Sequence, residues 1–276
     1  MLKNLVFILI LASFFPLNAL AESKDLTIAE VLEKSSLIKQ IEGMPEVLKF
    51  GLRRGRSKGP AIPDEIPARV ESAIDKAFEK DKVIGLLNQR VNDRFSQEEL
   101  QRLATFLDSP LGKRFTAAEN KMADAKEFEK VMNNSAKLTK EVNKDPARVK
   151  LLQSLFEAMG GIERSVESAL SIALATNIAL INATPSMEMP PMEVLEKINE
   201  EQRFGITGMV TQLSLASSAY VYRPFSNEEL KQYLEFASSP VATKFTAVIG
   251  DALIAVNKQC GEDMGKIVAD AVKQPS

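Results

Sequence analysis

The sequence predicts an all-α protein made of two tandem, divergently duplicated helical modules. Three observations point that way. Ala, Leu, Lys and Glu abound while alternating apolar and polar runs are few, so strand signals are poor. Two segments 130 residues apart repeat the same helix-start and helix-break signals. The composition, with no His, no Trp and one Cys in 276 residues, offers little to catalysis and much to helical packing.

The elements follow in chain order. Residues 1–21 read as an export signal: Lys3 is a short positive region, Leu5 to Phe15 an apolar run, and Ala19-Leu20-Ala21 a small-residue cleavage pattern before Glu22. The run is too short to span roughly 30 Å of hydrocarbon as a helix. No Cys follows the expected cleavage point, so the exported chain is not expected to be a lipoprotein. What remains divides into a module at 22–144 and a second at 145–276.

In the first module, Leu26 to Val31 combines a hydrophobic staple with a capping box at Thr27 and Glu30, which opens a helix expected to run through Ile41. Asp145-Pro146 opens the corresponding helix of the second module, with Asp as N-cap and Pro at the first helical position, and Gly160-Gly161 closes it. Ala169 to Ala183 is the most apolar stretch, interrupted by Ser171, Thr176, Asn177 and Asn182. It reads as a buried helix, so no membrane span is expected once the signal is removed. A further helix is expected from Glu193 to Glu201. Cys260 reads as an inert core residue in the last helix.

The duplicated motif is FSQEELQRLATFLDSPLGKRFTA at 95–117 and FSNEELKQYLEFASSPVATKFTA at 225–247, identical at 11 of 23 positions without a gap. Ser96 with Glu99 makes a capping box and Phe95 with Leu100 a staple; Ser226, Glu229, Phe225 and Leu230 repeat those roles. Ser109-Pro110 and Ser239-Pro240 then break both helices at the same place, because proline suits the first position of a new helix and not the interior of an old one. Each copy is thus expected to be a helix, a sharp bend and a second helix.

Composition also limits the chemistry. Without His there is no imidazole acid–base catalysis, Ser–His or Cys–His pair, or imidazole metal ligation. A balance of 35 basic against 37 acidic residues gives no reason to expect nucleic-acid binding. It divides unevenly: 23 basic and 21 acidic residues (+2) in the first module, 11 and 16 (−5) in the second.

Four features carry candidate chemistry. Arg53, Arg54, Arg56 and Lys58 form a compact basic loop that could meet anionic lipid or a polyanionic envelope polymer, or simply be a solvated linker. Met187, Met189 and Met192 could gather thioether sulfurs around Cu(I), or fill gaps beside the following helix. Glu71-Ser72 and Glu167-Ser168 show the Glu-Ser pair of helical enzymes that cleave peptidoglycan, but their further motifs are absent. Glu98-Glu99 and Glu228-Glu229 are explained by the helix dipole, since neighbouring side chains diverge by roughly 100° on a helix.

The pattern Phe-Ser-x-Glu-Glu-Leu, then Phe-x-x-Ser-Pro, then a basic residue and Phe, resembles a family of exported bacterial proteins described only as a domain of unknown function. The first copy, with Phe95, Glu98, Glu99, Leu100, Phe106, Ser109, Pro110, Gly112 and Lys113, matches more closely. The second has Ala242 and Thr243 where the first has Gly112 and Lys113. The resemblance implies a helical periplasmic protein and supplies no reaction, cofactor or catalytic residue. The sequence therefore leads to the expectation of a non-enzymatic protein that binds an envelope macromolecule through a groove between helices. A carboxylate-dependent cell-wall hydrolase and a Cu(I)-binding protein are the alternatives.

Overall fold

The computed structural model describes residues 25–56, 65–183 and 188–273. The expected signal at 1–21, Lys58 and Met187 lie outside them. Among the described residues there are 13 α-helices, one 3-10 turn and no strand, so the chain is all-α.

Thr27 caps α1 (Ile28–Lys34) in a complete capping box with Glu30. The helix expected through Ile41 instead breaks at Ser35 and Ser36. Ser35 takes an extended ψ of 169°, its N–H and Oγ both returning to the last turn. Serine competes for backbone hydrogen bonds in this way and can end a helix with no proline nearby. Next, α2 (Leu37–Arg56) carries Pro45 in its interior. After it come α3 (Glu65–Ala77) and α4 (Lys80–Val91), the latter capped by Glu79.

The first motif gives α5 (Gln97–Asp108) and α6 (Pro110–Glu119), followed by a 3-10 turn at Asn120–Ala123 and α7 (Ala125–Val142). Asp145 caps α8 (Pro146–Ala158), and Gly160 and Gly161, at φ of 117° and 66°, turn the chain in a region that side chains disfavour. Then follow α9 (Gly161–Ala183), α10 (Met192–Glu201) and α11 (Arg203–Val221). The second motif gives α12 (Asn227–Ala237) and the long α13 (Pro240–Lys273), bent from α12 by 73°.

Two hydrophobic clusters hold these helices together, and both draw on both halves of the chain. The larger joins Val31, Leu32, Ile41, Ile74 and Leu87 of α1–α4, with Phe78 from the α3–α4 connection, to Val256, Cys260 and Met264 of α13. The smaller joins Phe115 of α6 to Leu152 and Leu155 of α8 and to Tyr222, Phe225, Leu230 and Tyr233. Along their contact, α13 and α9 approach through small residues: a Cβ on Gly261 would lie 2.2 Å from the Ala175 methyl.

By length and composition α9 would suffice to cross a membrane, and only 22% of that window is buried. The expected buried helix is thus only partly covered. It packs along α13 and touches α3, α8, α10 and α11, leaving most of its side chains half-buried.

Candidate functional site

The two motif segments fold as their caps require. Ser96 accepts from the Glu99 N–H at 3.3 Å while Glu99 accepts from the Ser96 N–H at 2.8 Å. Ser226 and Glu229 repeat this at 3.2 and 2.8 Å. Ser109 caps α6 through the Gly112 N–H at 2.9 Å, and Ser239 caps α13 through the Ala242 N–H at 3.4 Å. Phe225 and Leu230 are buried, as the staple requires.

The segments also face each other, and their contacts come in reciprocal pairs related by the 130-residue offset. Phe95 meets Phe245 at 6.0 Å between ring centroids, and Phe225 (95 + 130) meets Phe115 (245 − 130) at 4.0 Å. Lys244 donates to both carboxylate oxygens of Glu99 at 2.8 Å, and Arg114 (244 − 130) donates to Glu229 (99 + 130). Lys244 lies 5.2 Å from the Phe95 ring centroid and Arg114 5.0 Å from that of Phe225. Phe106 stacks on its own counterpart, Phe236 (106 + 130), at 3.7 Å and 7°. The ion pairs act on the glutamates: the Lys244 ammonium, then the cap, holds Glu99 below the usual carboxylate range. For Glu229 the capping N–H of Ser226 leads and Arg114 adds to it.

Next to this junction is a buried carboxylate. Glu119, the last residue of α6, accepts from Tyr222 Oη at 2.9 Å and Tyr233 Oη at 2.8 Å through Oε1, and from Ser36 Oγ at 2.9 Å through Oε2. No Lys or Arg forms an ion pair with it among the described residues. Burial raises its pKa, outweighing the three hydroxyl donors, which act the other way. Burial and the facing carboxylate hold both tyrosines far above the usual phenol range. No sequence pattern marks Glu119, an unremarkable helical glutamate until the tertiary fold closes over it.

A different kind of surface lies at α10 and the start of α11. Met189, Met192, Val194, Ile198, Phe204 and Met209 are exposed, Phe204 by 90%. They are six of the seven exposed large apolar side chains among the described residues, and all fall within 189–209. Exposed single apolar residues are ordinary, but six within 21 residues of chain are a concentration that the rest of the described surface does not show. Gly205 and Gly208 lie between Phe204 and Met209, and a Cβ on either would meet nothing within 4 Å. Exposed Glu188, Glu193, Glu196, Glu200 and Glu201 border the surface against Lys197 and Arg203. Arg203 is already committed to Glu200 and to Glu167 at 2.7 Å. The sequence signal is visible in retrospect: no charged residue occurs from Phe204 through Tyr222.

The other sequence candidates are placed as follows. Arg53 donates to both oxygens of Glu71, at 2.9 and 2.6 Å, and Arg54 reaches Asn133 at 3.0 Å. Arg56 ends α2. The basic loop is thus partly folded back onto α3 and α7. Glu71 and Glu167, the Glu-Ser candidates, are each engaged by a guanidinium. Met189 and Met192 belong to the exposed apolar surface. Among the described residues no three His, Cys, Asp or Glu side chains come together as metal ligands. Cys260 is fully buried, and burial raises its thiol pKa.

Residues 81–128 match a family described as an uncharacterized protein conserved in bacteria (DUF2059). The match spans 48 residues, from α4 into α7. It takes in the first motif and Glu119, but not the second motif or the apolar surface. No curated protein and no solved structure matches the chain.

Proposed function

We propose that the chain is exported to the bacterial periplasm as a tandem duplicate of one helical motif and acts there as a non-enzymatic binding protein. It docks an envelope partner through the α10–α11 face. The reciprocal contacts of the two motifs support the duplication, since an isologous interface is what two copies of one sequence form about a two-fold axis. The observation that carries the binding role is the concentration of exposed apolar side chains on α10 and α11, led by Phe204.

The border of that face selects the partner. Residues 188–203 hold five glutamates against one lysine and one arginine, a net charge of −3. An apolar segment flanked by Lys or Arg fits it, as an amphipathic helix laid into a groove does, whereas phosphate-rich polymers are repelled. Met189 and Met192 serve this reading as adaptable apolar contacts.

The test uses purified protein lacking residues 1–21 and fluorescent amphipathic helical peptides of one apolar face, with Lys or Glu on the other. We expect the Lys peptide to bind, with affinity falling at least tenfold in Phe204→Asp and Met209→Asp at unchanged melting temperature. Equal binding of the Glu peptide, or indifference to both substitutions, would reject the site. Export is checked separately by sequencing the N-terminus of the secreted protein, expected at Glu22.

A further inference from the structure

The molecule contains its own control for the buried carboxylate. In the reciprocal interface the contact between Glu119 and Tyr233 has a counterpart, since 119 + 130 = 249 and 233 − 130 = 103. Those positions hold Ile249 and Leu103, 5% and 2% exposed, within one hydrophobic cluster. Tyr222 corresponds in the same way to Asn92, which is exposed. The same motif therefore places two buried apolar side chains of one cluster at these positions in one copy, and a carboxylate with three hydroxyls in the other. Packing alone does not ask for the second solution, since a buried ionised group costs more to desolvate than an apolar pair of similar volume.

We infer that Glu119 is a proton-operated clasp between the two motif copies, tightening the junction of α6, α11 and α12 when neutral and loosening it when ionised. This rests on the equivalence of the copies proposed above. The clasp spans the chain's two halves: Glu119 and Ser36 come from the first, Tyr222 and Tyr233 from the second. The Tyr233 ring stacks on Phe115 at 4.1 Å and the Tyr222 ring meets it edge-on at 5.8 Å, which ties the carboxyl to the aromatic contacts of the motifs.

The groups on the surrounding elements leave the clasp to itself. From α1 and α2, Lys34 pairs with Asp108 and Lys39 with Glu42. On α6, Arg114 pairs with Glu229, while Lys113 is exposed, as is Lys121 in the 3-10 turn. From α8, Arg148 donates to Asn227 and to the carbonyl oxygens of Tyr222 and Phe225, Glu157 is exposed, and the Met159 sulfur lies 3.7 Å from Tyr222 Oη. At the end of α11 and along α12, Arg223 and Glu235 are exposed and Lys231 pairs with Glu228. Protonation of Glu119 is thus the charge change at this junction: a proton on Oε2 turns the Ser36 contact round, so that the carboxyl donates to Ser36 Oγ while Oε1 keeps both tyrosine donors. Because its pKa is higher folded than unfolded, the stabilisation is complete below the ordinary glutamate range and is lost as pH rises through the raised value.

The readout is built in. The chain has no Trp and three Tyr, two of which hold Glu119, while Tyr220 bonds Glu127 and Lys130. Near-ultraviolet circular dichroism and melting temperature would be followed from about pH 5 to about pH 9. In the unaltered protein we expect a tyrosine transition and a melting temperature that falls by several degrees relative to Glu119→Gln as pH rises. The transition should be missing in Glu119→Gln and kept in Tyr220→Phe. A double variant copying the other copy, Glu119→Ile with Tyr233→Leu, should fold and lack the transition. Matching pH profiles in the unaltered protein and Glu119→Gln would overturn the clasp. A double variant that does not fold, beside a Glu119→Gln that folds and loses the transition, would overturn the equivalence of the copies and leave the clasp standing. Neither result bears on peptide binding at Phe204, so the two readings fail separately.

Discussion

Gly112 shows how one residue sets the two motif segments apart. A Cβ there would lie 2.0 Å from the Phe106 carbonyl oxygen, a separation no side chain tolerates, and the chain has glycine. The corresponding residue is Ala242, and the reason is one residue earlier in the bend. In the first copy α5 runs to Asp108 and Ser109 alone separates it from α6; in the second, α12 stops at Ala237 and Ser238 loosens the break. Alanine would normally favour a helix over glycine by about 1 kcal/mol. We expect Gly112→Ala to lower the melting temperature in spite of that, and by more than Ala242→Gly does. A stabilised Gly112→Ala would show that the bend relaxes freely. The Gly-to-Ala difference was legible in the sequence as divergence, but its cause was not, because it lies in where the preceding helix ends.

At the scale of the element, local chemistry was the legible part. The caps at Thr27, Ser96, Ser109, Asp145, Ser226 and Ser239 all form, because a cap is decided by residues within three positions of one another. Replacing Ser96 or Ser226 with Ala should each cost about 1 kcal/mol, read as a lowered denaturation midpoint. Unequal losses would mean that one motif tolerates fraying that the other does not. The Ser35–Ser36 break was not legible, since a capping box and apolar spacing before and after it suggested one continuous helix. The α9–α13 contact lay beyond the sequence too, because it depends on two helices over 80 residues apart meeting through Gly261, Ala175 and Gly265. Gly261→Ala should destabilise the protein, since its methyl would overlap that of Ala175. Adding Ala175→Gly should return part of the loss, as expected for two residues in direct contact. If the second substitution only adds to the damage, the helices meet elsewhere along their length.

For the whole molecule, the sequence revealed two similar motif segments but not that they close on each other. That closure makes the halves at 22–144 and 145–276 interdependent, because each hydrophobic cluster is completed by the other half. It also makes a demand that separate modules would not make. If the interface is isologous, the pairs Arg114–Glu229 and Lys244–Glu99 are the same interaction written twice and should behave alike. Double-mutant cycles test this with Ala for the basic residue and Gln for the glutamate, since glutamine at that position can keep the capping box intact. Both cycles should show favourable coupling of the same sign and similar size, weakening together as salt screens these part-exposed charges. The cross-pair Arg114 with Glu99 should show none. Acid should erase both couplings in one window: the glutamates have lowered pKa values, so their contribution is present above the ordinary glutamate range and lost as pH falls through the lowered values. That window lies below the one assigned to Glu119, whose shift has the opposite sign, so one pH series resolves the two effects. Coupling in one cycle and none in the other would leave the reciprocal geometry without energetic meaning, and the two-fold reading of the fold would fall with it.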